Sequence, residues 1–253
     1  MYDVTILSLL QGVTEFLPVS SSGHLVIAQN LLGVKEGGMR LDIFLHFGTL
    51  LSICVYYFAS IRRVVTGFDW RFMLKILLSA VPATIVYFTF RARIDEAFQD
   101  PNTVGAFLMF TGAVLMITRY LPAGGKEVSF LRALVMGVAQ AFAILPGVSR
   151  SGLTLAAART GKVEPSKAAE FSFLMSAPLI AGGCLLELVE MSGQSGIAKI
   201  GEFSWGLTLY GVAVSFVTGL LSLALLEKML KGRWFWIFGP YCILAGLFTL
   251  FLI

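Results

Sequence analysis

The sequence predicts an all-α polytopic membrane protein, with about six transmembrane helices plus two re-entrant helical hairpins in an inverted-topology repeat. Three observations predict it. The chain is 57% hydrophobic and only 13% charged over 253 residues, whereas a soluble domain carries about 25% charged residues. Six stretches approach the roughly 20 apolar residues that a spanning helix needs. Two further apolar stretches are interrupted at mid-length by versions of one polar motif.

In chain order, the first interrupted stretch covers about residues 4–32, with arms of roughly 13 to 16 residues that are short for crossing. It reads as a hairpin that enters the membrane and returns on the same side. Non-helical backbone at that depth is tolerated only against protein or a wet cavity. Three spans follow, Asp42–Ile61, Phe72–Phe90 and Val104–Leu121. The second hairpin covers about 130–158, and the spans Phe171–Val189, Trp205–Leu226 and Trp234–Ile253 complete the chain. With no polar linker or low-complexity tract, residues 1–253 form one membrane domain, repeat 1 at about 1–125 and repeat 2 at about 126–253.

Basic residues orient these elements. Four connections carry Arg62, Arg63, Arg71 and Lys75; Arg119, Lys126 and Arg132; Arg159, Lys162 and Lys167; and Lys228, Lys231 and Arg233. The others carry Lys35 and Arg40, Arg91 and Arg93, and Lys199, thirteen against five with Arg150 set apart. The pattern alternates if the first hairpin enters from outside, the second from the cytoplasm, and both termini lie outside. Each half is then one hairpin plus three spans. Three is odd, so the halves insert upside down relative to each other, with the broken helices meeting at a midplane site. Asp42-Ile-Phe-Leu-His46-Phe-Gly48 and Glu170-Phe-Ser-Phe-Leu-Met-Ser176 follow the two motifs at equal distance and echo the repeat.

The net charge of +4 suits anionic lipid headgroups rather than nucleic acid. Cys54, Cys184 and Cys242 lie in apolar segments without metal-ligand spacing and read as buried small hydrophobes. The start of the chain, acidic at Asp3 and without Lys or Arg before its apolar run, does not resemble a cleaved signal peptide. Trp234, Phe235, Trp236 and Phe238 read as an interfacial belt, and Glu187 and Glu190 as interfacial acids.

The chemistry is concentrated in the two motifs. The first is Gly12-Val-Thr-Glu15-Phe-Leu-Pro18-Val-Ser20-Ser21-Ser22-Gly23-His24. The second is Gly137-Val-Ala-Gln140-Ala-Phe-Ala-Ile-Leu-Pro146-Gly147-Val-Ser149-Arg150-Ser151-Gly152. Glu15 is the only acid from Val4 to Val34, and Arg150 the only charge from Ala133 to Ala158. Charges in such surroundings are expensive and mark function. Gln11 and Glu15, four apart, share a helix face. Ser20, Ser21, Ser22 and Gly23 open the returning helix, as Ser149, Ser151 and Gly152 do in the second motif, with Thr154 in its first turn. Free N–H groups there make an anion site, and the Arg150 guanidinium supplies bidentate phosphate recognition. Together these groups suit a phosphate ester or diphosphate better than a sugar or an amine.

His24 reads as general base or nucleophile, Ser20 or Ser21 as nucleophile, and Glu15 as orienting group or divalent-cation ligand. A purely structural Glu15–Arg150 ion pair would not require the surrounding hydroxyls. His46 reads as a satisfied membrane hydrogen-bonder. Inverted repeats with broken helices also occur in transporters, so translocation of a lipid phosphate through the same site is the alternative function.

These motifs resemble the undecaprenyl-pyrophosphate phosphatase family of the bacitracin-resistance type. Its (Glu/Gln)-x-x-x-Glu element is matched by Gln11 and Glu15, and Phe-Leu-Pro-Val-Ser-Ser-x-Gly-His from Phe16 to His24. Its Pro-Gly-x-Ser-Arg-Ser-x-x-Thr signature is matched at Pro146, Gly147, Ser149, Arg150, Ser151 and Thr154. The resemblance implies hydrolysis of a long-chain isoprenyl diphosphate to the monophosphate, recycling the lipid carrier of cell-wall synthesis. It also implies a divalent cation, Mg2+ or Ca2+, and a multi-pass protein of the cytoplasmic membrane with its site toward the outer face. A homodimer is compatible with it. By the same resemblance Glu15, Ser21, His24 and Arg150 are the catalytic core. Gln11, Ser20, Ser22, Gly147, Ser149, Ser151 and Thr154 are expected to bind substrate, and Glu15 the metal. Either Ser21 or His24 would attack phosphorus. Gln11 stands where many members have Glu, and an amide brings no negative charge to a cation.

Overall fold

Apolar runs that cannot pair their backbone with lipid close their hydrogen bonds internally as helices. The computed structural model describes residues 1–34, 38–122, 124–193, 205–232 and 234–252. Lys35, Lys199 and Arg233 lie outside the described residues, as do the side chains of Arg40, Glu187 and Glu190. Eleven α-helices are present among the described residues: α1 (Tyr2–Thr14), α2 (Ser21–Leu32), α3 (Gly38–Tyr56), α4 (Phe58–Thr66), α5 (Trp70–Gln99), α6 (Pro101–Ile117), α7 (Phe130–Phe142), α8 (Arg150–Thr160), α9 (Pro165–Gly193), α10 (Trp205–Lys231) and α11 (Phe238–Leu252). Four are long and apolar enough to cross a membrane, and a fifth span results if α3 and α4 count as one. The protein is an all-α, multi-pass membrane protein.

Two expected spans take another form. The span expected over Asp42–Ile61 bends by 69° at Tyr57, between α3 and α4. Arg62 and Arg63 follow immediately, and turning the chain keeps both guanidinium groups out of the apolar layer. The span expected from Trp234 begins as a 3-10 turn at Phe235–Ile237, leaving α11 with 15 residues. Phe235 turns into the core at 1% exposure while Trp234 stays outside, so the expected aromatic belt is divided. Cys54 is exposed on the surface of α3 and Cys184 is half-buried, while Cys242 is buried as expected. A thiol can face the apolar outer surface of a membrane helix as readily as the core.

Both interrupted stretches are pairs of short helices: α1 and α2 around a turn at 15–20, α7 and α8 around a turn at 143–149. Small residues let these pairs pack closely on long helices. A Cβ at Gly12 would lie 2.7 Å from the Ser215 carbonyl of α10, and one at Gly137 would lie 2.4 Å from the Ser79 carbonyl of α5. The last helices of the two halves, α6 and α11, run antiparallel against each other: Gly105 meets Gly246, and Gly112 meets Gly239. Apolar packing centres on Phe16, set edge-on to Phe173 at 5.4 Å, and on Phe171, Leu226 and Phe235.

Among the described residues, contacts tie the basic connections to one another. Arg63 pairs with Glu170, and Lys167 with Glu127. Arg132 donates to the Gly161 carbonyl, Arg159 to that of Leu121, and Arg119 stacks on Trp236.

Candidate active site

Glu15 follows the last turn of α1, where its backbone N–H still donates to the Gln11 carbonyl. Pro18 lies in the turn that follows. The chain re-enters helix at Ser21 after Ser20, whose φ of +69° is a left-handed conformation. That backbone is destabilising by about 1–3 kcal/mol for a residue other than glycine and is characteristically retained at functional sites. Ser20 Oγ accepts from the Gly23 N–H, and Ser149 Oγ accepts from the Gly152 N–H in the same way at the start of α8. The hydroxyl pairs Ser20–Ser22 and Ser149–Ser151 are both separated by 3.3 Å. The first helical residues are therefore Ser21 on α2 and Arg150 on α8.

The two turns touch. A Cβ at Gly23 would meet Gly147 Cα at 3.1 Å, and one at Gly147, where φ is +90°, would strike the Val104 carbonyl at 2.4 Å. This close approach brings the charged groups of the two halves together. Arg150 Nη2 donates to Glu15 Oε1, while Ser21 Oγ donates to Glu15 Oε2 at 2.5 Å and Gln11 Nε2 donates to the same oxygen at 3.1 Å. His46 Nε2 stands 3.8 Å from Oε2. The carboxylate is 5% exposed and the guanidinium 17%, so neither charge is fully hydrated and each relies on its partners.

Glu15, Ser21, Arg150 and His46 line a cavity of about 260 Å³ with Ser20, Ser22, Ser149 and Gln140. Its apolar wall includes Ala83, Phe98, Ile144, Leu179 and Ile180, from α5, the second turn and α9. Four buried polar atoms near the ion pair make no hydrogen bond among the described residues: Arg150 Nη1, Gln11 Oε1, and Gln140 Nε2 and Oε1. A buried polar group without a partner is destabilising, so this cluster is suited to a polar guest.

Of the sequence-predicted residues, Glu15, Ser20, Ser21, Ser22, Ser149 and Arg150 line the cavity. Gln11 stands behind Glu15, completely buried, and bonds Thr49 as well. Gly147, Ser151 and Thr154 build the second turn instead. Thr111 Oγ1 donates to the Gly147 carbonyl and accepts from the Ser149 N–H. Ser151 Oγ donates to the Leu17 carbonyl, and Thr154 Oγ1 to that of Arg150. His24 is buried outside the cavity lining. Its Nδ1 donates to the Ser20 carbonyl at 2.8 Å, and its Nε2 meets the Tyr241 hydroxyl at 2.7 Å. A carbonyl only accepts, so in the neutral ring Nε2 accepts from Tyr241.

His46 and Gln140 enter the site without having been assigned to it from sequence. His46 satisfies Nδ1 on the Asp42 carbonyl, as expected, but its other nitrogen faces Glu15. Its signal was the echo Asp42–Gly48. The signal of Gln140 was its place three residues after Gly137, matching Glu15 after Gly12.

For a divalent cation, the donor set has one carboxylate, the Gln11 Oε1 that has no partner among the described residues, and nearby hydroxyls. No group of three His, Cys, Asp or Glu side chains able to hold a metal occurs among the described residues. These oxygen donors fit a hard cation that takes its remaining ligands from water and phosphate, the habit of Mg2+.

The fold is that of a membrane protein, an apolar helical bundle that buries a carboxylate–guanidinium pair at the start of two helices, an arrangement whose chemistry suits an anion. The family model of bacitracin resistance protein BacA matches residues 4–248, and the chain belongs to that family. It is 35% identical to an undecaprenyl-diphosphatase of Desulforapulum autotrophicum, over 99% of this chain and 97% of that one. It is 37% identical to one of Desulfatibacillum aliphaticivorans, over 96% and 95%, and 34% identical to one of Thermotoga petrophila, over 96% and 97%.

Proposed function

We propose that this protein is an undecaprenyl-diphosphate phosphatase, hydrolysing the lipid diphosphate to its monophosphate and orthophosphate. The observation that carries the reading is the joining of Glu15, Ser21 and Arg150, from two separate turns, in one cavity. The guanidinium is held by Glu15 through Nη2, while Nη1 has no partner among the described residues and offers a donor to phosphate. Free N–H groups at the start of α2 and α8 add to the anion site.

Ser21 is the attacking group. Its hydroxyl already donates to Glu15, which is therefore placed to take the proton as Oγ bonds to the terminal phosphorus. The bond from that phosphorus to the bridging oxygen breaks, and the lipid monophosphate leaves. Water then attacks the phosphoserine, giving orthophosphate and restoring the Ser21 hydroxyl. Phosphoryl transfer depends mainly on positioning and charge neutralisation, which Arg150 and the two turns supply. His24 is a positioning residue: by donating to the Ser20 carbonyl it fixes the left-handed residue that presents Ser21. Its engagement with Tyr241 favours Ser21 over His24 as nucleophile.

Glu15 and the Gln11 carboxamide oxygen would hold Mg2+ or Ca2+. Such a cation neutralises charge on the phosphates when bound. The apolar wall of Phe98, Leu179 and Ile180 offers the isoprenoid chain a path between helices toward lipid.

The protein resides in the cell membrane with the basic connections in the cytoplasm and the site toward the outer face, in one membrane domain of two inverted repeats. The packing supports the repeat. Exchanging the halves maps α1 on α10 onto α7 on α5, and the antiparallel pair α6–α11 onto itself. One chain supplies every site residue, so hydrolysis does not require a homodimer. The relatives named above carry a hydrolase's name rather than a transporter's, which favours hydrolysis over translocation. The test is phosphate release from a polyprenyl diphosphate by purified protein in detergent, with Mg2+ or Ca2+ and with chelator. Release that chelator abolishes supports the reading; tight substrate binding without release contradicts it.

A further inference from the structure

We infer that Gln140 is a substrate-contacting residue whose carboxamide holds an oxygen of the bound diphosphate; this rests on the cavity being the diphosphate site. Gln140 lies on α7, three residues beyond Gly137, as Glu15 stands three beyond Gly12. Both glycines press on a serine carbonyl of a long helix, so the two side chains enter one cavity from corresponding positions. Their surroundings then differ. Glu15 is engaged by Arg150, Ser21 and Gln11. Gln140 is 3% exposed, lines the same cavity, and has a partner at neither Nε2 nor Oε1 among the described residues.

An unpaired buried amide is unfavourable, and leucine or methionine would fill the space without that penalty. The neighbouring cavity walls, Ala83, Ala143 and Ile144, offer no side-chain partner. A guest can supply one. Charge narrows its class: Glu15 and Arg150 neutralise each other, and a second carboxylate at position 140 would repel phosphate. A neutral amide does not. Its Nε2 donates to a phosphate oxygen, and its Oε1 accepts from a phosphate hydroxyl or a water carried with the substrate.

The test compares wild type, Gln140→Met, Gln140→Asn and Arg150→Ala as full-length protein in detergent. It measures KM and kcat for undecaprenyl diphosphate, Tm, and the Tm increase caused by methylenediphosphonate. Losing a hydrogen bond to a charged group predicts an increase in KM of about 10- to 100-fold for Gln140→Met. kcat should fall by much less, the probe-induced Tm increase should shrink, and Tm without probe should equal or exceed that of wild type. Gln140→Asn keeps the amide but withdraws it by one methylene, and its KM should lie between the two. An unchanged KM and an unchanged probe response in the Met variant overturn the inference, as does a lowered Tm with unchanged KM. If Arg150→Ala also binds and hydrolyses as wild type does, the cavity is not the diphosphate site and the underlying reading fails as well.

Discussion

Replacing Arg150 with lysine separates the two tasks of the guanidinium. One nitrogen anchors Glu15, and a second, buried and without a partner among the described residues, is available to phosphate. A lysine ammonium keeps the charge, but as a single point on a flexible stem it cannot reproduce that fork. Bound to Glu15, it leaves the phosphate short of one charge-assisted hydrogen bond, worth roughly 1.5–3 kcal/mol. Arg150→Lys should therefore lower kcat/KM by about 10- to 150-fold, at about 1.4 kcal/mol per factor of ten. Arg150→Ala removes the charge as well, and a loss of roughly 10³-fold or more is expected, at the upper end for an electrostatic donor in a water-poor site. Stability should respond differently. Lysine preserves a cationic partner within the fork's reach of Glu15, whereas alanine leaves a carboxylate with 5% exposure supported by Ser21, Gln11 and the more distant His46, so only the alanine variant should lose Tm substantially. The assay is initial-rate orthophosphate release from undecaprenyl diphosphate in detergent, paired with thermal unfolding. Wild-type kcat/KM in Arg150→Lys would show instead that a charge without its fork suffices.

Tyr241→Phe removes the hydroxyl on His24 Nε2 but leaves Nδ1 on the Ser20 carbonyl. Phosphate release should fall less than about tenfold, the scale of one neutral hydrogen bond, while His24→Ala should fall much further. Equal losses in the two variants would assign proton transfer to Nε2 and contradict a positioning role. Gly112→Val places a Cβ 2.6 Å from the Gly239 carbonyl and should lower Tm, overpacking typically being destabilising by about 1–3 kcal/mol. Gly182→Ala, with open space around its Cβ position, should leave Tm unchanged or raise it, following helix propensity. Similar Tm values for both would show that α6 and α11 do not depend on close glycine contact.

What the sequence exposed best was what hydrophobicity and charge govern. The two broken stretches, the long helices α5, α9 and α10, and the basic connections tied through Arg63, Arg132 and Arg159 all follow from apolar run length and charge placement. The bend at Tyr57 and the 3-10 turn at Phe235 were hidden because apolar composition does not distinguish a straight helix from a bent one. The site was legible through its costly charges, Glu15 and Arg150. His46 was harder to place, because an imidazole that satisfies one nitrogen on its own helix can present the other elsewhere. Gln140 was harder still: an amide carries no charge to flag it, and only its match to Glu15 across the repeat marked it. For His24, sequence singled out the residue but could not show that Tyr241, far along the chain, occupies its outer nitrogen.

In the proposed reaction two half-motifs form one hydrolytic site in which Ser21 attacks phosphorus and Glu15 receives its proton. The most direct measurement is stoichiometric orthophosphate release from undecaprenyl diphosphate by purified wild type and Ser21→Ala at matched substrate occupancy. Wild type should release one orthophosphate per lipid, and Ser21→Ala should do so at a rate at least about 10³-fold lower. Release by Ser21→Ala at the wild-type rate would contradict the proposed reaction.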